Sequence, residues 1–179
     1  MKKLARLTAL LLTGALLLVL TACGGAPGGG ASMTPEEIAA KQWLLEEINS
    51  YRTTHDPSLE PLEEVKKLSE AEQDLANYFR AAGKTVLPKS EADEALDRWS
   101  SKTEDRDYCD SFGLGPEDED GNYIYILSAK VPANTLDGKA ELRATLKDSG
   151  VFNRKACKSI GIAVVTINGQ MYWSCSVFD

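Results

Sequence analysis

Histidine is almost absent from this sequence: His55 is the only one in 179 residues. A zinc site built on two histidines therefore cannot form within one chain, and a catalytic triad would need a nucleophile and a carboxylate to converge on this single residue. The residue lies in a predicted loop before Asp56-Pro57, where we expect a solvated or helix-terminal side chain. Since no cofactor-binding loop is present either, the sequence predicts no catalytic residue, no metal ligand and no cofactor.

Long hydrophobic runs are missing apart from one, at residues 7–20. A helix of that length extends only about 21 Å, which is short of the roughly 30 Å hydrocarbon core of a bilayer. The run follows the positive residues Lys2, Lys3 and Arg6 and ends just before Cys23, which is the pattern of an export signal. We therefore predict a signal over residues 1–22.

The segment L-T-A-C at residues 20–23 resembles the lipobox of bacterial lipoproteins. The resemblance implies a diacylglyceryl group on Cys23, which becomes the first residue after cleavage; an ordinary secretory signal that contains a cysteine is the alternative. Residues 23–33 are rich in glycine and are predicted to form a flexible tether behind the lipid. The expected location is the extracytoplasmic face of the cell membrane, where the lipid anchors the chain.

Basic residues are too few for a nucleic-acid-binding protein. The chain carries 20 Lys and Arg against 27 Asp and Glu, a net charge of −7, and loss of the three basic residues of the signal takes this to −10. Such a surface repels phosphate backbones. The predicted partners are the membrane, through the lipid, and an unknown envelope ligand or protein, but not nucleic acid.

Residues 34–179 have the length of a single domain with one core. Capping residues, together with apolar residues three or four apart, predict four helices in this domain. They span residues 35–53, 62–83, 90–99 and 138–147.

Aromatic and β-branched residues predict strands in the second half of the domain. One hairpin is expected to join residues 108–114 to residues 123–131. A second joins residues 159–167 to 170–178 through Asn168-Gly169, the strongest short hairpin signal. Its alternation puts apolar side chains on both faces, so helices should cover both sides of an antiparallel sheet, and the predicted fold class is α+β.

Both ends of the domain resemble the CAP superfamily, also called SCP. Bacterial members carry a first helix with L-x-x-x-N-x-x-R, then P-L, then a helix that begins L-S-x-A-A-Q; they end in a strand like V-G-V-G-x-A, a turn and Y-W-x-x-x-F. The matching positions here are Leu45, Ile48, Asn49, Arg52, Pro61-Leu62, L-S-E-A-E-Q at 68–73, S-I-G-I-A at 159–163 and Y-W-S-C-S-V-F at 172–178. The resemblance implies an α-β-α sandwich.

The sequence departs from the family at its cleft, which usually holds two histidines and two glutamates that bind a divalent metal in some members. The histidine of the second helix would fall near Leu75, and the other near Glu141 or Leu142. The glutamate of the family's G-E-N has no clean counterpart beside Gly121-Asn122. The resemblance therefore implies a degenerate member that does not bind zinc through those ligands.

Clusters of acidic residues predict surface rather than ion sites. Residues 118–122 alternate like the start of a calcium loop, but the position that requires glycine is Tyr123 and the final glutamate is replaced by Ala129. Helical spacing places two pairs of neighbouring carboxylates on solvent faces. These pairs are Glu46-Glu47 and Glu63-Glu64.

With Cys23 assigned to the lipid, the remaining cysteines are Cys109, Cys157 and Cys175, in a compartment that permits disulfides. The predicted turn at residues 168–169 places Cys175 opposite Ile162. Cys175 is then about 16 Å from Cys157, beyond the roughly 7 Å reach of a bridge. Any disulfide therefore uses Cys109, with either Cys157 or Cys175.

The leading functional hypothesis is a non-catalytic, lipid-anchored module that binds a ligand or a partner at the cell envelope. It rests on the missing nucleophile-base pair, metal set and cofactor loop. An envelope hydrolase with an unrecognised site is one alternative, and a structural or assembly lipoprotein is the other.

Overall fold

The computed structural model describes residues 32–119 and 122–179. The predicted signal, the lipid-attachment residue Cys23 and nearly all of the tether lie outside these residues, as do residues 120–121 of the acidic segment. Within the described ranges, no helix combines the length and apolar character needed to cross a bilayer.

Helices and strands share the described residues, so the α+β fold class is confirmed. The elements in chain order are α1 (Pro35–His55), β1 (Glu63–Glu64), α2 (Lys66–Ala82), β2 (Val86–Pro88), α3 (Lys89–Thr103), β3 (Tyr108–Phe112), β4 (Leu114–Glu119), β5 (Asn122–Leu127), α4 (Leu136–Ser149), a 3₁₀ turn (Val151–Asn153), β6 (Ser159–Ile167) and β7 (Gln170–Phe178).

The main sheet has four strands in the order β1-β6-β7-β3, with helices on both faces. Strands β3, β6 and β7 pair antiparallel, and the two-residue β1 joins β6 in parallel. On one face, α1 and α4 bury the strand residues Ile162 and Trp173. On the other face, α2 covers Ala163 and Val165. The prediction that helices cover both faces of the sheet is therefore confirmed.

The C-terminal hairpin has the predicted strands and turn. Asn168 and Gly169 both have positive φ, of 50° and 80°, as a type I′ turn requires. The register that follows from this turn pairs Ile162 with Cys175. This hairpin is the best-predicted part of the fold because its turn signal is short and specific.

The predicted hairpin between residues 108–114 and 123–131 is wrong. Strand β3 pairs with β7 in the main sheet, whereas β4 pairs with β5, and β2 completes a separate three-stranded sheet. The chain changes sheet at Gly113, whose φ is +81° and whose position would bring an added Cβ to 2.4 Å from the Trp173 carbonyl oxygen. The residue composition of 108–114 predicted a strand, but it carried no information about the pairing partner.

Helix α2 begins at Lys66, later than the predicted residue 62. Residues 62–65 are extended instead, because the Glu63 and Val65 amides donate to the carbonyl oxygens of Lys158 and Ile160. The other predicted helices exist and are longer than predicted. Helix α1 begins at the predicted residue but ends two residues later, α3 begins one residue earlier and ends four later, and α4 is longer by two residues at each end.

Helix side chains cover the outer edge of β6, beyond the two residues that pair with β1. Ser69 Oγ accepts the Ile162 amide at 3.1 Å. Gln73 binds both the amide and the carbonyl of Val164, at 3.3 and 3.1 Å. Glu37 accepts the Thr166 amide at 2.7 Å. An open strand edge invites pairing with another chain, so these side chains replace a missing strand.

Arg52 and Asn49 hold two loops against α1. Arg52 is 1% exposed and donates to the carbonyl oxygens of Glu60, Phe152, Arg154 and Cys157, at 2.6 to 3.0 Å. Asn49 bonds to both the amide and the carbonyl of Leu62, at 2.8 and 3.1 Å. These side chains supply hydrogen bonds that the irregular loop backbones cannot make among themselves.

The assignment of Glu47 to a solvent face is wrong. Glu47 is 7% exposed, because α4 packs over this side of α1 and brings Lys139 and Arg143 to the carboxylate. Its neighbour Glu46 is exposed as predicted. Helical spacing identified the stripe that faces the sheet, but not a second stripe covered by another helix.

Candidate ligand pocket

His55 lies exposed in the last turn of α1, where its ring stacks on Tyr51 with the ring centroids 5.4 Å apart. In residues 32–119 and 122–179, no three side chains of the His, Cys, Asp or Glu type gather as a possible metal-ligand set.

The positions that correspond to the family's cleft histidines do not share a cavity. Leu75 is buried in a cavity beside α2, on one face of the main sheet. Glu141 and Leu142 line a different depression beside Trp173, which lies on the opposite face. These two positions therefore do not form one cleft in this structure.

The cavity beside Leu75 has a volume of about 370 Å³ and lies between α2, α3 and strands β3, β4, β5 and β7. Its walls are mainly apolar and aromatic. They include Leu75, Leu96, Trp99, Tyr108, Leu114 and Tyr125. The volume lies in the lower part of the range that small-molecule sites occupy. We call this cavity the Glu72 pocket, after the buried carboxyl that lines it.

Glu72 is 3% exposed, and three hydrogen-bond donors surround its carboxyl group. Trp99 Nε1 donates to Oε1 at 2.7 Å, Ser176 Oγ also bonds to Oε1, and Ser174 Oγ lies 3.4 Å from Oε2. Burial raises the pKa of Glu72 above its ordinary value, and these hydrogen bonds offset the effect only in part. The carboxyl is therefore biased toward its neutral form.

The local fold explains why the carboxyl is held there. Glu72 lies on the buried stripe of α2 with Leu68, Ala71 and Leu75. Small serines at alternate positions of β7 leave room for the carboxyl under the helix. Trp99 reaches it from α3, which packs against α2.

Sequence reasoning missed Glu72, although a signal was present. Residues 68, 71, 72, 75 and 79 follow the helical spacing of a buried face, and residue 72 is the charged member of that set. Buried carboxyls are rare and are paired or functional when they occur.

In the parent, the free energy of unfolding is expected to fall as pH rises, because of Glu72. Glu72→Gln should make this fall smaller. Because the pKa of Glu72 is raised on folding, the folded chain holds its proton above the ordinary value of 4.5, where the unfolded chain has lost it. The stability that depends on this proton is present below pH 4.5 and is lost as pH rises through the raised value. Urea titrations near pH 5 and near pH 8 measure this difference.

Glu70→Gln is the matched control, since Glu70 is a 57% exposed glutamate on the same helix. We expect the free energy of unfolding of the parent, minus that of Glu72→Gln, to be lower near pH 8 than near pH 5. The same difference for Glu70→Gln should agree at the two pH values within about 0.5 kcal/mol. An unchanged Glu72→Gln difference would show that Glu72 is already ionised in the folded chain.

Comparison with known proteins gives no family assignment. No protein-family model matches the chain, and no curated protein matches it. Among solved structures, a cysteine-rich secretory protein from Staphylococcus aureus is similar, with a TM-score of 0.48 and 12% sequence identity. The alignment covers 89% of this chain and 44% of that protein, so the chain spans less than half of its length.

Proposed function

We propose that this chain is a lipid-anchored protein of the extracytoplasmic membrane face, with a degenerate CAP-like domain that binds a small ligand. The Glu72 pocket is the observation that carries the binding role. It combines apolar and aromatic walls with one buried carboxyl, and sites of this composition bind molecules that have an apolar body and a polar group.

The roles of the motif residues support the CAP-like part of the proposal. Asn49 and Arg52 hold loop backbones, and Ser69 and Gln73 cover the β6 edge. These four polar side chains of the two helical motifs thus make backbone contacts that a shared fold would need. Their contacts do not depend on the missing cleft histidines, which fits a domain that keeps part of a CAP-like scaffold even though the two histidine positions do not share a cleft.

Binding fits the Glu72 pocket better than hydrolysis does. Trp99, Ser174 and Ser176 already engage the carboxyl oxygens of Glu72, and a general acid needs an oxygen within reach of the substrate. A ligand that contacts the apolar walls needs no such freedom. Hydrolysis with Glu72 as the general acid is the alternative function for this pocket.

Leu96→Glu is expected to weaken binding of the neutral fluorescent probe N-phenyl-1-naphthylamine by at least about tenfold. Leu96 is a half-buried wall residue of the Glu72 pocket, and a charged side chain there would have to be desolvated when an apolar probe enters. The measurement is a fluorescence titration of the probe against the purified parent and variant.

Leu136→Glu is the matched control, because Leu136 is 86% exposed on α4 and the substitution is chemically the same. This variant should bind the probe like the parent. Equal weakening in both variants would place probe binding outside the Glu72 pocket, and failure of the parent to bind would count against an open apolar site.

Cys23→Ala is expected to prevent lipidation and release the protein from the membrane, because acyl chains contribute about 0.8 kcal/mol per buried CH₂ and no other anchor is predicted. Fractionation of cells after radiolabelled fatty-acid feeding tests this directly. Cys175→Ala, which leaves the signal intact, serves as the control for cysteine loss. Label that persists in Cys23→Ala would contradict the lipoprotein proposal.

A further inference from the structure

We propose that Cys109 and Cys157 form a disulfide bond when the folded domain meets a disulfide oxidant, and that Cys175 stays a free thiol. The bond would join β3, an edge strand of the main sheet, to the segment that leads into β6. It is independent of the Glu72 pocket, and only its formation in the cell depends on the proposed export.

The two cysteines flank the end of β7. Tyr108 and Ser159 pair with the same residue, Phe178, from opposite sides of that strand. Cys109 is the extra residue of a bulge in β3, between Tyr108 and Asp110. A bulge redirects the side chain of its extra residue, and here the Cys109 thiol lies within hydrogen-bonding reach of the buried Cys157 thiol.

A pair of arginines fixes both cysteine backbones. Arg52 binds the carbonyl oxygens of Cys157 and Arg154, at 2.8 and 3.0 Å. Arg154 in turn donates to the Cys109 carbonyl at 3.2 Å and pairs with the carboxylate of Asp110. The two thiols are therefore held together by a network that does not involve either sulfur.

The geometry excludes the pairing with Cys175 that the sequence left open. Cys175 lies opposite Phe112, three residues along β3 from Cys109 and therefore about 10 Å away along the strand. On the other side of β7, Cys175 pairs with Ile162 of β6. Ile162 is five residues from Cys157, about 16 Å along the strand. Both separations exceed the Cα distance of roughly 7 Å that a disulfide permits.

Formation of the bond takes two exchange steps, with a small-molecule disulfide such as oxidised glutathione as the oxidant. The Cys109 thiolate, at the half-buried position, attacks one glutathione sulfur, and one glutathione thiolate leaves. The Cys157 thiolate then attacks the Cys109 sulfur and displaces the second glutathione thiolate. Two cysteine thiols lose two protons and two electrons, and one glutathione disulfide is reduced to two thiols.

The second step should depend strongly on pH. In the reduced chain, burial, followed by the hydrogen bond with Cys109, raises the pKa of Cys157 to about 12, although Arg52 and Arg154 act in the opposite direction. In the mixed disulfide the Cys109 thiol is gone, and burial still raises the pKa of Cys157 above its ordinary value. Little thiolate is therefore available near neutral pH. The rate of ring closure should rise about tenfold per pH unit, and the mixed disulfide on Cys109 should accumulate first.

The test uses the full chain in detergent, reduced, freed of reductant and then incubated with oxidised glutathione. Non-reducing peptide mass spectrometry should find a peptide pair that joins residues 109 and 157. Cys175→Ser should leave this pair unchanged. Cys157→Ser should stop at the mixed disulfide on Cys109, because the displacing thiol is missing.

The oxidised chain should melt about 10 °C higher than the reduced chain, since the bond closes a long loop.

A link between Cys109 and Cys175, or three thiols that remain open to alkylation after oxidation, would overturn the proposal. The same peptide analysis on chains taken directly from cells addresses export separately. A chain that is reduced in the cell, yet closes the 109–157 bond with glutathione, would confirm the pairing and count against the extracytoplasmic location.

Discussion

Arg52→Ala is expected to lower the free energy of unfolding by about 3 to 5 kcal/mol, out of a total of roughly 5 to 15 kcal/mol for a domain of this size. The substitution leaves four carbonyl oxygens without the donor that now satisfies them, at Glu60, Phe152, Arg154 and Cys157. Each buried and unpaired acceptor costs about 1 to 3 kcal/mol, although water can enter at the more exposed ones. Two loops would lose their attachment to α1 at the same time.

Arg98→Ala is the matched control, since Arg98 is 53% exposed and pairs with Glu94 on the surface of α3. Its loss should change stability by less than about 0.5 kcal/mol. Urea titration of both variants beside the parent gives the comparison. Arg52→Lys should also be strongly destabilised, because an ammonium group cannot reach four carbonyls that are arranged around a planar guanidinium. Equal stability of Arg52→Lys and the parent would show that charge alone matters there.

The parts of the fold that the sequence predicted are those with a local physical cause. The capping box at Thr34 and Glu37 marks the start of α1, and the type I′ turn at Asn168-Gly169 sets the register of the last hairpin. The pairing of β3 had no such local cause, because the residues of a segment can predict a strand without determining which other strand it pairs with. Gly113 was the available clue, since a glycine inside an apparent strand often marks a change of direction.

The candidate site was harder to predict because its chemistry depends on contacts between distant segments. Glu72 gains its environment from Trp99 on α3 and from serines on β7, which are 27 to 104 residues away. The choice of Cys157 as the partner of Cys109 likewise depends on a bulge and on two arginine side chains. Neither arrangement follows from spacing along the chain.

The helical motifs that suggested a family have a common physical role. Each of these polar side chains binds backbone groups that secondary structure leaves unpaired, at a loop or at an open strand edge. Ser69, Gln73 and Arg52 all act in this way. Such residues are constrained by backbone geometry, and the role they play here does not require a particular chemistry at a binding site. The contacts of these motifs therefore explain how this fold is held together and carry no information about an activity.

Trp173→Ala is expected to lower the free energy of unfolding by about 3 to 5 kcal/mol, the usual cost of removing a large buried aromatic side chain. Trp173 is 1% exposed, and its ring lies with its centroid 4.8 Å from that of Phe112 and 6.5 Å from that of Phe152. It belongs to the core that β7 shares with α1 and α4. The substitution would open a cavity between the sheet and both helices, so the variant should be largely unfolded or insoluble.

His55→Ala is the comparison that relates this prediction to function. The His55 side chain is exposed, and its ring stacks on that of Tyr51. Its removal should therefore change the free energy of unfolding by less than about 0.5 kcal/mol. Denaturant titration of the parent and His55→Ala measures the small effect, and the loss of a folded baseline, or of soluble protein, in Trp173→Ala under the same conditions measures the large one. If His55→Ala proved more damaging than Trp173→Ala, or removed an activity without unfolding the domain, the binding-module proposal would have to give way to a hydrolase. Since His55 does not line the Glu72 pocket, such a result would also place the functional site outside that pocket.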